Sequence, residues 1–432
     1  MIIKIDRGGQ VEQEVNKTIT ENLVVMDMGH HMAMYYAPVT PTEVSSIAVM
    51  VMHCDQNYMG FNIAPELAKR GYHVMAVDAW VGGEIDRKCE HLSKMVKYMK
   101  VQPGIEKVVL MGHSGGATLM TAYQAIAENG PQVFQGEKMI YQCTVREPLE
   151  PADGLLLLDA NYGNAVMSLL SLDPAVLEEG NGMKLDPKYD IFDPANGYDK
   201  DGANYSPEFI RMYQQAQRER NERLIDFALD RLEKIRKGEG NYVDDEPFMI
   251  AAADQPKPNN RLLPEDLHLL AHTKGEYDLL HGDGTITHER ISSLRTPEMD
   301  RCFSNTYFMG VNKNTIKGFL SSQAIRTTED FAVTEDEVKG VDWDSSYASP
   351  IGNIQHISVP SLFMGMTGGY EYLAAEMIYE HATKIQDKSI AFVRGAGHNF
   401  VPNRDAEKVY GPFGDTEGAL FDYIAQWMKK FV

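Results

Sequence analysis

Lys107-Val108-Val109-Leu110-Met111-Gly112-His113-Ser114-Gly115-Gly116-Ala117-Thr118 joins an apolar run to a string of small residues through Gly-x-Ser-x-Gly. A serine so placed sits in a strained turn of positive φ, and glycines on either side leave room for adjacent backbone and for the helix that follows. The turn exposes the Ser114 hydroxyl and sets it at a helix N-terminus. There the backbone N–H of Gly115 faces any negative charge that develops on a bound carbonyl oxygen. Gly-x-Ser-x-Gly alone occurs often by chance. Its place between a strand and a small-residue helix makes it specific.

Outward from this turn, the first 160 residues alternate short apolar runs with helical patterns, the signature of a mostly parallel sheet. Strands are expected at 31–39, 46–53, 72–78, 107–111 and 154–159, with helices at 60–70, 84–100 and 114–129. The rhythm returns near 359, with strands at 360–366 and 389–393 and a helix at 370–382. The chain closes on an amphipathic helix at 418–431, where Leu420, Ile424, Trp427 and Phe431 share one face. From 160 to 354 the rhythm is lost. Ser206-Pro207 opens a long helix there, serine as N-cap and proline at the first position, and Gly238 ends it. One core, 1–159 and 355–432, is thus interrupted by an insertion at 160–354.

Composition narrows the function. The chain has 432 residues, 43% hydrophobic and 24% charged, enough for a full core. A net charge of -21 with no Lys/Arg cluster argues against a nucleic-acid partner. The first residues, Met1 to Asp6, lack the basic and apolar regions of a secretory signal, and no apolar run approaches the roughly 20 residues needed to span a bilayer. Cys54, Cys89, Cys143 and Cys302 are scattered without a CxxC pair, which reads as reduced thiols in a cytoplasmic protein. The 24 methionines read as fillers of an adaptable core or pocket. No membrane partner is expected, and a homodimer stays open.

Two further stretches carry chemistry. Ile390-Ala391-Phe392-Val393-Arg394-Gly395-Ala396-Gly397-His398 is a strand ending in a tight loop with a histidine, the side chain suited to take a serine proton near neutral pH. Ala48-Val49-Met50-Val51-Met52-His53-Cys54-Asp55 is a buried strand ending in a histidine-led loop, in which His53 reads as a brace. His268 and His272 are four apart but lack the intervening glutamate of a zinc helix.

With these stretches in place, residues 30–160 and 355–432 resemble the α/β-hydrolase superfamily in its serine esterase-like form. The resemblance implies a mostly parallel sheet of about eight strands flanked by helices, with a large, mainly helical cap inserted after the strand ending at Asp159. It implies a nucleophile at Ser114, a base at His398, and an oxyanion hole from the backbone of Gly115 and of Cys54 or Asp55. Cys54 stands where the family usually has glycine. The family's acid commonly follows the strand before the histidine strand as Gly-x-x-Asp. Here that segment reads Gly365-Met366-Thr367-Gly368-Gly369, without a carboxylate. Asp159 is the favoured substitute, because a strand-end carboxylate is geometrically fixed; Glu371 and Glu376 are the alternatives. The implied reaction is hydrolysis of a small to medium organic ester or lactone through an acyl-enzyme, with no cofactor and no metal. The rivals are a C–C bond hydrolase, another acyl-transfer enzyme, and a ligand-binding protein without catalysis.

Overall fold

The computed structural model describes residues 18–27, 31–80, 82–180, 184–199, 201–253, 261–297 and 311–432. Cys302 and the stretch Met1 to Asp6 lie outside them. In chain order the core begins β1 (Ile19–Met26), β2 (His31–Pro38), β3 (Ile47–Val51), α1 (Ile63–Lys69), β4 (His73–Val77), α2 (Ile85–Lys100), β5 (Lys107–His113), α3 (Gly116–Asn129) and β6 (Gly154–Leu158). The insertion follows with α4 (Asn164–Ser171), α5 (Pro207–Arg236), β7 (Pro247–Ile250), β8 (His272–Leu280), β9 (Ile286–Ser292), β10 (Asn312–Thr315), β11 (Thr327–Val333) and β12 (Val338–Val341). The core resumes with β13 (Ser361–Met366), the helix Leu373–His381, β14 (Lys388–Val393) and the closing helix Thr416–Met428.

Ten strands form one sheet in the order β1-β2-β4-β3-β5-β6-β13-β14-β8-β9. From β4 to β8 along this order every neighbouring pair is parallel, β2 runs antiparallel to β4, and antiparallel pairing adds β1 and β9 at the two edges. This is the α/β-hydrolase fold, with ten strands where about eight were expected. The insertion carries short strands beside its helices, since β7 to β12 all belong to it. Its hairpin β8–β9 lies against β14, pairing Ala391 with Asp278 and Val393 with Leu280. These two strands are largely polar and partly exposed, so they lack the continuous apolar run that marks the central strands.

Central strands are buried on both faces and feed two cores. Ile47, Val49, Val51, Leu156 and Leu158 pack with Ile63 and Leu67 of α1 and with Leu420 and Ile424 of the closing helix. Ala48, Met50, Leu155 and Leu157 face Leu92 of α2, Leu119 and Tyr123 of α3, and Leu373. The insertion shares this second core through Leu169, Tyr213, Ile225 and Phe319.

The long helix α5 forms as its sequence dictates. Ser206 Oγ accepts the Phe209 N–H at 3.1 Å, Pro207 opens the first turn, and Gly238 adopts φ +75° just past the end. Midway along it Arg220 is fully buried. Its guanidinium donates twice to Glu179, at 2.8 Å each, and to the carbonyls of Asp173, Ala251 and Ala252. A planar fork saturated in this way fixes the helix against the surrounding loops. No helix among the described residues is long and apolar enough to cross a membrane. Cys54, Cys89 and Cys143 are buried free thiols.

Candidate active site

Parallel strands end together, so the residues that follow them meet at one edge of the sheet. Ser114 follows β5, Asp159 follows β6, Gly368 to Glu371 follow β13, and His398 follows β14. Because β5 and β6 pair His113 with Leu158, Ser114 and Asp159 leave adjacent strands side by side. The Ser114 N–H donates to the Leu158 carbonyl at 3.3 Å.

Ser114 has φ +54°, the strained conformation expected of the turn. Contacts require the flanking glycines. A Cβ at Gly112 would lie 2.7 Å from the Ala117 Cα, and one at Gly116 would lie 2.9 Å from the Met52 carbonyl oxygen. Each contact is with backbone, which has little freedom to yield.

His398 lies on a loop held by its own backbone: Gly397 N donates to the Val401 carbonyl and Phe400 N to the Gly397 carbonyl, each at 2.8 Å. Its Nδ1 lies 2.7 Å from Asp159 Oδ2 and 3.1 Å from Glu371 Oε2. The Asp159 side chain is 2% exposed and rigidly set. Its Oδ1 accepts the Met366 N–H at 2.8 Å, and its own N–H donates to the Met364 carbonyl at 2.7 Å. With two carboxylates at Nδ1, the ring proton belongs there and Nε2 is the basic nitrogen. Glu376 is elsewhere: its carboxylate takes the backbone N–H groups of Lys274 and Gly275 in β8. The absence of an acid at Gly368 has a steric cause. A Cβ there would stand 2.5 Å from the Ala396 carbonyl oxygen, inside the His398 loop.

His113, which precedes Ser114, acts as a bracket. Its Nε2–H donates to the His398 carbonyl at 2.8 Å, and its Nδ1 accepts from the Tyr58 hydroxyl at 2.8 Å. Its ring centroid lies 4.6 Å from that of His398. Burial holds its pKa well below the ordinary histidine value, so the bracket stays neutral.

Around the loop after β3 lies a network that the sequence did not reveal. Lys88 of α2 is fully buried; its ammonium donates to the Cys54 carbonyl and pairs with Asp55 Oδ1 at 2.9 Å. Asn164 Nδ2 donates to Asp55 Oδ2 at 2.8 Å, and Gly82 N to Asp55 Oδ1 at 3.2 Å. A signal was present: Lys88 falls on the stripe Ile85, Cys89, Leu92, Met95 that α2 buries, an unusual place for a lysine. Of the two residues expected to offer an oxyanion N–H, Asp55 already gives its own to His53 Nδ1 at 2.9 Å. The Cys54 thiol itself is inert, pushed up to about 12 by burial. Lys88→Met strips Asp55 of its cation. It should lower stability by about 1–2 kcal/mol in a denaturant titration, less than the loss of a fully buried pair, because Asp55 is 29% exposed and keeps its bonds from Asn164 and Gly82.

Among the described residues one group of metal-type side chains converges: Asp159, Glu371 and His398. The 2.7 Å contact is that of a direct charge-assisted hydrogen bond, shorter than the separation of two atoms that share an ion at about 2.0–2.2 Å each. His268 and His272 do not converge: His268 lies beside Asp266 and His272 beside Arg290.

Residues 62–148 match a family described as a protein of unknown function (DUF1749). No curated protein matches the sequence. Similar solved structures include a hypothetical protein of Pseudomonas aeruginosa, at 12% identity and TM-score 0.42, with 100% of both chains covered. The HSL-homolog EstE7 from a metagenome library shows 10% identity and TM-score 0.42, over 96% of this chain and 87% of its own. Proline iminopeptidase of Mycobacterium smegmatis shows 12% identity and TM-score 0.38, over 95% and 98%.

Proposed function

We propose that this chain is a serine hydrolase that cleaves a small to medium organic ester or lactone through an acyl-enzyme on Ser114. The observation that carries this reading is the pairing at the sheet edge. A serine strained to φ +54° at a helix start leaves the strand beside a buried aspartate that lies 2.7 Å from a histidine Nδ1. In the proposed reaction His398 Nε2 takes the Ser114 proton as the hydroxyl oxygen attacks the carbonyl carbon, then returns it to the leaving group. Asp159 keeps the ring proton on Nδ1 and balances the imidazolium that forms. The N–H groups of Gly115 and Cys54 receive the oxyanion.

The carboxylate contact also weighs against a binding protein with a decayed site, the rival suggested by the missing Gly-x-x-Asp. Packing alone gives no reason to hold a 41% exposed histidine side chain between two carboxylates. Reaction with a fluorophosphonate probe tests the reading directly. Labelling is expected on Ser114, located by peptide mass spectrometry, and undiminished after prolonged EDTA treatment. A label on another residue, or none, overturns the reading. Ester hydrolysis that EDTA removes and zinc restores would move the chemistry to a metal.

A further inference from the structure

His53 is buried, 5% exposed, and stacked on Tyr58 at 4.8 Å between ring centroids. Its Nδ1 accepts the Asp55 N–H at 2.9 Å. A neutral imidazole carries a single proton, so a ring that accepts at Nδ1 bears that proton on Nε2. Burial holds the ring's pKa down to about 4, with Asp55 opposing and His398 adding to the effect. The Nε2–H form therefore persists through neutral pH. That edge of the ring faces the serine turn: a Cβ placed on Gly115 would lie 3.2 Å from both Cε1 and Nε2 of His53 and 2.9 Å from Asn164 Oδ1. The hydrogen bond at Nδ1 fixes the ring with its Nε2 edge beside Gly115, the residue that follows Ser114.

We propose that His53 is itself a catalytic residue, its Nε2–H being a side-chain donor to the oxyanion beside the backbone N–H groups of Gly115 and Cys54. This rests on the serine-hydrolase reading and deepens it. As the Ser114 oxygen bonds to the carbonyl carbon, the carbonyl π electrons move to the oxygen and the serine proton goes to His398 Nε2. His53 transfers no proton. Its hydrogen bond strengthens as charge builds, and because the Asp55 N–H already fixes the ring, little reorganisation is needed. The Lys88–Asp55–Asn164 network then holds the loop that presents this donor. The ligand class implied is an acyl group whose carbonyl oxygen enters between His53 and Gly115.

Two substitutions separate donation from bracing. His53→Asn keeps an acceptor near the Nδ1 position, able to take the N–H two residues on as in an Asx turn, but offers nothing at the Nε2 position. His53→Gln reaches the Nε2 position with an amide N–H. With p-nitrophenyl butyrate as probe, His53→Asn should lose about 10²–10³-fold in kcat with little change in KM, the usual cost of one oxyanion donor. His53→Gln should retain most of the rate. A residue that only braces the loop gives the opposite order, and that order overturns the proposal. Ser114→Ala, assayed alongside, keeps the two failures apart. If it still turns over ester, the hydrolase reading falls; if it is inactive while His53→Asn runs at the wild-type rate, only the role of His53 falls. Imidazole NMR on the unaltered protein needs no variant to fold. It should show the Nε2–H form of His53, its proton moving downfield when a trifluoromethyl ketone adds to Ser114. An Nδ1–H form or an unmoved resonance overturns the proposal.

Discussion

Ser114→Ala is expected to abolish ester turnover, by about 10⁶-fold in kcat if the serine and histidine act as one unit. The substitution removes one oxygen atom at a position whose backbone is fixed by its neighbours. The β5 register, the close approach of Gly112 to Ala117 and the bond from Ser114 N to the Leu158 carbonyl do not depend on the hydroxyl. Alanine at φ +54° is strained much as serine is, so the thermal midpoint should stay close to that of the parent. His398→Ala should be comparably severe, and the double variant little worse than either, because groups that share one proton transfer are not additive. Steady-state kinetics with a chromogenic ester, read beside a melting curve, decide the matter. Similar rates in parent and Ser114→Ala would remove the proposed function.

Asp159→Asn should preserve the fold and cut kcat by about 10⁴-fold, the effect of a wrong imidazole tautomer in other triads. The geometry says why. The carboxylate is anchored by the Met366 N–H on Oδ1, so an asparagine keeps its carbonyl oxygen there and turns its amide toward His398. An N–H facing Nδ1 drives the ring proton to Nε2, the nitrogen that must accept from Ser114. Glu371→Gln should cost far less, because Glu371 is the longer contact, 3.1 Å against 2.7 Å, and Asp159 remains to hold Nδ1–H. Glu376→Gln should leave kcat unchanged, since that side chain serves the backbone of Lys274 and Gly275. If Glu371→Gln proves the costlier of the first two, the glutamate holds the histidine and the assignment of Asp159 is wrong.

How far the sequence led can be traced through individual residues. The serine turn was legible because its strand, its strained residue and its small-residue helix lie within one continuous stretch, Lys107 to Thr118. The central strands were legible because burial on both faces leaves unbroken apolar runs. β1 was not, since its eight residues, Ile19–Met26, are mostly exposed and carry no such run. The hairpin β8–β9 was hidden for the same reason, and because its neighbour β14 lies more than a hundred residues further along the chain. At the site, Asp159 and His398 could be nominated from strand ends, but their mutual distance could not. The second carboxylate at Nδ1 is a product of tertiary packing, since Glu371 comes from the turn after β13. The buried charge network around Asp55 joins three separate segments and leaves its one trace in the misplaced lysine of α2.

The hairpin β8–β9 has a consequence for how this protein is made. β14, which delivers His398, lies between β13 of the core and β8 of the insertion. During synthesis both neighbours emerge before it, so the last parallel strand completes a groove whose two walls are already present. Truncating the insertion would leave β14 as an open edge, with unpaired backbone groups ready to recruit another chain. A shortened version built on residues 1–159 and 355–432 would therefore be prone to self-association during expression. The distant pairing also raises the contact order, which slows folding and lengthens the time those edges stay uncovered. Completing the sheet around the strand that carries His398 therefore depends on the insertion.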